Sequence, residues 1–281
     1  MASIPGGQYS FFAAGQPVNV VTTADGTNLP PPIGGEFNLE VVTSPQGTSY
    51  PLPLGYQGVA LLSDQGHAVN MLTGDYAVWA NGDGPDTIQA GSGNDTIFGG
   101  SHDLITGGSG PDLIYGGRHD TIRGGTGLDT IYGGAGHELI TGGSGPDVIY
   151  GGRQDTIQGG AGPDTIYGGA GHELITGGSG NNLIVRGSGH ETIHGGAGSN
   201  IIQVGTGPTL IQDHGVAGHD TVVGFDTGHG DQIGFEGENN GSIDNVVATA
   251  NEHHGNTTIT LPDGSTMTLV GIAHIDHTFF H

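Results

Sequence analysis

An acidic side chain recurs at short, regular intervals between residues 81 and 212. This stretch divides into fifteen consecutive units with the consensus GGxGxDxIx, and most units carry Asp or Glu two positions before the Ile. Carboxylates this close together repel one another unless a cation neutralises them. Ca²⁺ takes six to eight oxygen ligands, which Gly-rich turns supply from their carbonyl groups beside the carboxylates. The spacing therefore predicts a row of calcium sites.

The overall charge agrees with a cation-binding role and excludes several other classes of protein. Among 281 residues there are 28 acids, four arginines and no lysine, which gives a formal net charge of −24. Nucleic acids and anionic membranes would repel such a surface, so we expect neither as a partner, and no membrane insertion. Cysteine is absent, which excludes disulfides and thiolate metal sites. The first 20 residues lack the basic and apolar segments of a signal peptide.

The repeat also predicts the fold. Every unit has Ile at the same position, within a three-residue strand bounded by Gly-rich turns. Such units stack as a solenoid in which the isoleucines form the core. We therefore expect an all-β protein with a parallel solenoid over residues 81–212. Residues 1–80 are expected to form a β-rich cap or small domain, and residues 213–281 a C-terminal cap.

Because each loop reverses the chain, alternate units place their loops on opposite edges of the solenoid. The first edge carries Asp95, Asp112, Asp129, Asp147 and Asp164, followed by Asn182 and Asn200. The second edge carries Asp86, Asp103, Asp120, Glu138, Asp155, Glu173 and Glu191. The stacked first-edge acids predict calcium sites, with simple Asx turns as the alternative. The two asparagines predict that metal is lost beyond Asp164.

Metal binding on the second edge is left open by the sequence. Three units there have only eight residues, beginning at Gly99, Gly116 and Gly151, whereas the first edge has nine-residue units throughout. Loss of one residue displaces the carbonyl groups that would complete a calcium shell. The second-edge acids are therefore alternative calcium ligands.

The units GGSGPDLIY, GGSGPDVIY and GGAGPDTIY resemble the nonapeptide of the RTX, or hemolysin-type calcium-binding, family. This resemblance implies a right-handed parallel β-roll that binds Ca²⁺. Residues 220–235 and 255–272 resemble the C-terminal flank of RTX proteins, which carries an uncleaved type I secretion signal. The resemblance thus implies export from a Gram-negative bacterium as an unfolded chain, which folds on meeting calcium outside the cell.

Two further rows of side chains accompany the acids. An aromatic row follows the first edge and consists of Phe98, Tyr115, Tyr132, Tyr150 and Tyr167. Stacking within the sheet and docking of a sugar chain are both open roles for it. A histidine row precedes the second-edge acids and consists of His102, His119, His137, His172 and His190. It predicts an exposed edge, with a pH switch or a Zn²⁺ or Cu²⁺ ladder as alternatives.

No catalytic residues are predicted. Residues 190–194 read HETIH, which matches the zinc-protease motif HExxH, but the match falls on a predicted strand. That motif requires a helix to bring both histidines to one face. The expected function is therefore that of a secreted calcium-binding β-roll with a structural role in a surface layer, matrix or fibre, acting through self-association. The alternatives are an extracellular carbohydrate-binding module or adhesin, and an extracellular polysaccharide-modifying or proteolytic enzyme.

Overall fold

The computed structural model describes residues 7–13, 16–23, 34, 37–42, 49–51, 55–61, 66–71, 73–80, 84–213, 218–235 and 240–281. The first three residues of the repeat and parts of the expected N-terminal cap lie outside these ranges. The chain forms two compact units, Met1–Ala135 and Gly136–His281.

The first unit is built from short strands. Their bounds are Gly7–Ala13 (β1), Gln16–Thr23 (β2), Phe37–Val42 (β3), Ser49–Pro51 (β4), Gly58–Leu61 (β5), Ala68–Asn70 (β6), Ala77–Ala80 (β7), Thr87–Ser92 (β8), Thr96–Phe98 (β9), Leu104–Ser109 (β10), Leu113–Tyr115 (β11), Thr121–Thr126 (β12) and Thr130–Tyr132 (β13). From β3 onward, successive strands alternate between two parallel sheets, so two strands make one coil.

The parallel ladder of the first unit begins before the Gly-rich repeat. Strands β1 and β2 form an antiparallel pair, and β2 then pairs in parallel with β3. One sheet continues through β5, β7, β9, β11 and β13, and the other runs from β4 through β6, β8, β10 and β12. The strands upstream of the repeat thus supply coils that lie in register with it.

The second unit continues the same pattern and adds a C-terminal hairpin. Its strands are Leu139–Ser144 (β14), Val148–Tyr150 (β15), Thr156–Ala161 (β16), Thr165–Tyr167 (β17), Ala170–Gly171 (β18), Leu174–Ser179 (β19), Leu183–Val185 (β20), Ser188–Gly189 (β21), Glu191–His194 (β22), Ile201–Gln203 (β23), Thr209–Asp213 (β24), His219–Val223 (β25), Gln232–Phe235 (β26), Asn251–His253 (β27), Asn256–Thr260 (β28) and Thr266–Val270 (β29). The described residues of this unit also form a helix, Asn240–Ala248 (α1), and two 3₁₀ turns, Thr227–His229 and His277–Phe279.

Parallel pairing in the second unit again produces two large sheets, and β18 and β21 form a small separate parallel pair. One contains β15, β17, β20, β23, β25 and β29, and the other contains β14, β16, β19, β22, β24 and β26. Strands β27, β28 and β29 pair antiparallel, so they end the coiled pattern. The turn between β28 and β29 contains the sequence Pro-Asp-Gly, as expected from its turn chemistry.

The repeated isoleucines form the core, as predicted. All fifteen are buried, with at most 1% of any side chain exposed. They pair with one another from coil to coil, as Ile88, Ile105 and Ile122 do in the first unit. This pattern confirms the predicted fold class, a parallel β-roll. No helix among the described residues is long and apolar enough to cross a bilayer.

Candidate calcium sites

The first-edge aspartates are buried, and each uses one carboxylate oxygen to join neighbouring coils. In the first unit, Oδ1 of Asp112 accepts the backbone N–H of Asp95 at 2.9 Å, and Oδ1 of Asp129 accepts that of Asp112 at 2.9 Å. In the second unit, Oδ1 of Asp164 accepts the N–H of Asp147 at 2.9 Å. One oxygen of each acceptor is therefore committed to holding the roll together.

The other carboxylate oxygen is buried and available. Oδ2 of Asp95, Asp112 and Asp164 has no hydrogen-bond partner. A β-carbon on Gly107 would lie 2.4 Å from Oδ2 of Asp112 and 2.5 Å from the carbonyl oxygen of Gly124 in the next coil. The two oxygens therefore lie no more than about 5 Å apart, beside the place that a side chain at residue 107 would fill. Ca²⁺ binds oxygen at 2.3–2.6 Å, so one ion can bind both, and this donor set fits calcium.

The second unit repeats this arrangement. A β-carbon on Gly159 would lie 2.5 Å from Oδ2 of Asp164 and 2.5 Å from the carbonyl oxygen of Gly177. No group of three or more His, Cys, Asp or Glu side chains that could hold a metal ion occurs among the described residues. Backbone carbonyl groups must therefore contribute much of any calcium shell here, as the Gly177 oxygen does.

The electrostatic state of these aspartates also favours a cation. Burial, together with the neighbouring carboxylates of Asp112 and Asp75, raises the pKa of Asp95 to about 7. Burial raises the pKa of Asp112 and of Asp164 to about 6. The charged carboxylate is thus disfavoured in the metal-free fold because neither water nor a positive group compensates it. A bound Ca²⁺ would supply that compensation.

These pKa shifts predict that acid stabilises the calcium-free fold. A raised pKa means that the folded state binds protons more tightly than the unfolded state. The stabilisation is complete below the ordinary value of 3.8 and is lost as the pH rises through about 6 to 7. We expect protein stripped of calcium on a chelating resin to give stronger β-type circular dichroism at pH 5 than at pH 8. A calcium-saturated sample serves as the control and should keep its signal at pH 8; equal signals from the stripped protein at both pH values would contradict the prediction.

The row of donors on the first edge ends at Asn182. The side-chain oxygen of Asn182 accepts the N–H of Asp164 at 2.9 Å, as an aspartate would. Its amide nitrogen therefore occupies the position of Oδ2, is buried, and lies beside the carbonyl oxygen of Gly195. An NH₂ group cannot ligate calcium. The substitution leaves the backbone hydrogen bond intact and removes the metal ligand.

The eight-residue loops of the second edge are different, because they occupy both oxygens of their aspartates. Oδ1 of Asp103 and of Asp120 accepts an N–H from the preceding coil. Oδ2 accepts the N–H of the second glycine in the same loop. These pairs are Gly100 with Asp103 at 2.7 Å, Gly117 with Asp120 at 2.6 Å, and Gly152 with Asp155 at 2.5 Å. Both carboxylate oxygens in the shortened loops are therefore engaged in backbone hydrogen bonds, unlike Oδ2 of Asp112 on the first edge.

The backbone conformation of the short loops explains why the second glycine donates to the carboxylate. His102, His119 and Gln154 have positive φ angles of 66°, 61° and 57°. A nine-residue loop reaches the same point with two glycines at positive φ, such as Gly108 and Gly110. The single left-handed residue makes a tighter turn and brings the glycine N–H onto the carboxylate. This conformation costs a non-glycine residue about 1–2 kcal/mol, which the additional hydrogen bond helps to offset.

A sequence profile described as the RTX calcium-binding nonapeptide repeat (4 copies) matches residues 81–114, 100–120, 116–149, 134–154, 149–184 and 186–207. Residues 81–207 of the chain therefore contain RTX calcium-binding repeats. RTX nonapeptides bind calcium, and the buried aspartates of these repeats agree with that cofactor. A comparison with curated proteins gives no match.

The acids in the nine-residue RTX units on the second edge differ from one another in their hydrogen-bond and ion-pair partners. In the first unit, Asp86 keeps one buried oxygen without a hydrogen bond, while its other oxygen accepts from the N–H of His67 at 2.7 Å. In the second unit, Glu173 accepts the N–H of Gln154 through Oε1 and keeps Oε2 buried without a hydrogen bond. Glu138 accepts the N–H of Gly136. Glu191 forms an ion pair with Arg186, and a comparable contact joins Asp86 Oδ1 to Nδ1 of His67 at 3.1 Å.

The histidine row of the RTX roll is exposed on the outside of the loops. In the first unit, the rings of His102 and His119 stack with centroids 5.1 Å apart. In the second unit, His172 and His190 stack at 4.9 Å and border a cavity of about 450 Å³, which His281 also lines. Because no metal-holding group forms among the described residues, the Zn²⁺ or Cu²⁺ alternative gains no support. A solvent-facing edge agrees with the exposure.

The aromatic row forms ladders of stacked rings. In the first unit, centroids of Phe98 and Tyr115 lie 4.9 Å apart, and those of Tyr115 and Tyr132 lie 4.8 Å apart, with interplanar angles of 1° and 5°. Trp79 extends this ladder, with its centroid 6.2 Å from that of Phe98. In the second unit, Tyr150 and Tyr167 stack at 4.8 Å. The ring faces are turned toward one another, which leaves mainly ring edges for other molecules.

Three features of this surface were not predicted from the sequence. Trp79 pairs with Phe98 of the next coil, but it lies before the repeat and 19 residues from Phe98, a spacing that does not match the 17 or 18 residues between aromatic residues of the repeat. Leu104, Leu139 and Leu174 are 37%, 48% and 40% exposed beside the histidine row, at the outward strand position before the Ile. The burial of Arg186 was also not predicted, because a charged side chain in a Gly-rich loop is normally expected to face solvent. The HETIH segment, by contrast, lies on strand β22 as expected, with His190 exposed and His194 buried.

Proposed function

We propose that this chain is a secreted structural protein whose β-roll folds when its first-edge aspartates take up calcium outside the cell. The ligands would be Asp95, Asp112, Asp129, Asp147 and Asp164. The observation that carries the proposal is that Oδ2 of Asp112 and the carbonyl oxygen of Gly124 lie close together beside Gly107, near enough for one Ca²⁺ to bind both.

Energetics support calcium as a folding trigger as well as a ligand. The carboxylates are buried, and their charged forms have little compensation in the metal-free fold. Calcium neutralises this charge only where the loops of adjacent coils have come together, because one site takes oxygens from two coils. The unfolded chain contains no such preformed site, so the free energy of binding becomes free energy of folding.

The proposal assigns the two edges different roles. Asp103, Asp120 and Asp155 would hold the second edge through backbone hydrogen bonds, without metal. Asp86 and Glu173 keep a buried oxygen that remains available as a second-edge ligand. Calcium loading would therefore be concentrated on the first edge.

Export can be tested with the full-length chain. The proposal expects the chain to appear in the medium of a Gram-negative host only when a type I secretion system is co-expressed. A variant lacking residues 213–281, which contain the expected signal, should remain inside the cells. Equal amounts in the medium with and without the transporter would count against this route.

A structural role is preferred over carbohydrate binding because of the aromatic ladders. Sugar rings bind to exposed aromatic faces, whereas the faces of Tyr115 are covered by Phe98 on one side and Tyr132 on the other. Assembly is tested by sedimentation velocity of the calcium-loaded protein across a hundredfold range of concentration. Growth of the sedimentation coefficient with concentration is expected. A constant monomer value would remove self-association from the proposal.

The same ladder predicts a stability effect. Tyr115→Ala removes two stacked contacts, each worth roughly 0.5–1.5 kcal/mol, so we expect the free energy of unfolding to fall by about 1–3 kcal/mol. Denaturant unfolding in saturating calcium measures it. Thr106→Ala, on the other sheet, serves as the control and should change stability by less than about 0.5 kcal/mol. If soluble polysaccharides stabilised the wild type but not the Tyr115 variant, the carbohydrate-binding alternative would be favoured.

A further inference from the structure

One repeat unit carries a positive charge where the others have a small residue. Arg186 stands at the first position of the unit RGSGHETIH, which is glycine in most units. Its side chain is 1% exposed, whereas Arg118, Arg123 and Arg153 are all exposed. A guanidinium is protonated at any physiological pH, so this is a permanent buried cation.

The first position of a unit points into the space between two loops. On the first edge, a β-carbon at Gly107 or at Gly159 would enter the space shared by an aspartate oxygen and a carbonyl oxygen of the next coil. On the first edge, a side chain at this position would therefore enter the place where a cation would bind. Arg186 occupies the first position of a second-edge unit, and its own contacts show where its guanidinium lies.

The contacts of the guanidinium are those of a cation in an oxygen cage. Nη2 donates to the carbonyl oxygen of Gly189 in the same loop at 2.7 Å, and Nη1 donates to the carbonyl oxygen of Gly207 in the next coil at 2.8 Å. Nη2 also pairs with the carboxylate of Glu191. Two carbonyl groups and one carboxylate from adjacent coils form a donor set of the kind that calcium uses.

We propose that the guanidinium of Arg186 is a built-in cation that replaces calcium between the loops of residues 186–191 and 204–209. This inference rests on the proposed calcium function. It reassigns Glu191, which sequence analysis named as an alternative calcium ligand, as the counter-ion of Arg186. The coils on either side are then joined without metal, so this part of the second unit stays closed at low calcium.

The test is calcium stoichiometry at saturation, measured by equilibrium dialysis with radioactive calcium. Arg186→Gly restores the consensus residue and frees the oxygens around it, and we expect this variant to bind one more calcium ion than the wild type. Its thermal midpoint should also depend more steeply on calcium concentration. Arg153→Gly removes an exposed arginine from another loop on the same edge and should leave the stoichiometry unchanged.

A second variant keeps the test decisive if the first one folds poorly. Glu191→Gln retains the guanidinium and its two carbonyl contacts, and should bind as many calcium ions as the wild type. Loss of one ion in Glu191→Gln would overturn the proposal, because Glu191 would then be a calcium ligand. No gain in Arg186→Gly would also overturn it. A wild type that binds no calcium would instead contradict the proposed function itself.

Discussion

Removal of calcium at pH 8 is expected to abolish most of the β-structure of this protein. A site that binds only the folded state stabilises it by about 2.7 kcal/mol when the ligand is at a hundredfold excess over its dissociation constant. Five first-edge sites would together exceed the total stability of many domains, which is about 5–15 kcal/mol. The stripped chain also carries a formal charge of −24, and it must bury aspartates whose charged forms are uncompensated.

Far-UV circular dichroism during a calcium titration from micromolar to ten millimolar measures this effect. We expect the β-signal to appear cooperatively, because each first-edge site takes oxygens from two coils and each new coil completes the next site. Magnesium is the control: it requires near-octahedral geometry at shorter distances, so it should not restore the fold at the same concentrations. A stripped protein that is already folded at pH 8 would show that hydrogen bonds hold the acid rows without calcium.

The sequence predicted the β-roll of the repeat region well because one physical rule generates it. A buried Ile in every unit, flanked by glycine turns, leaves a stacked coil as the arrangement that buries the apolar side chains. The separation of first-edge and second-edge acids also followed from the alternation of units. These conclusions depend on periodicity, which a sequence displays directly.

The chemistry of individual loops could not be read in the same way. Loss of one residue before Asp103 suggested that carbonyl groups had moved, but not that the Gly100 N–H would take the second carboxylate oxygen. That outcome depends on His102 adopting a left-handed conformation, which glycine adopts more readily. The cation role of Arg186 likewise depends on the direction in which its position faces, and periodicity alone does not reveal this.

The same substitution should reduce calcium binding on the first edge and calcium-independent stability on the second edge. Asp112→Asn reproduces on the first edge what Asn182 does naturally: it keeps the acceptor for the Asp95 N–H and replaces Oδ2 by an NH₂ group. We expect this variant to bind at least one calcium ion fewer. At calcium concentrations a hundredfold above the dissociation constant, it should lose about 2.7 kcal/mol of stability for each lost ion. Without calcium it should be no less stable than the wild type, because a buried charge has been removed.

Asp120→Asn makes the same change in an eight-residue loop of the second edge. Here the new NH₂ group faces the Gly117 N–H, so a donor meets a donor and a buried hydrogen bond is lost. We expect a loss of about 1–3 kcal/mol with and without calcium, and an unchanged calcium stoichiometry. Equilibrium dialysis and denaturant unfolding of both variants provide the comparison. An equal loss of calcium in the two variants would mean that the short loops also bind metal. A loss confined to Asp112→Asn would mean that a calcium site depends on a carboxylate oxygen without a hydrogen bond, which the short loops lack.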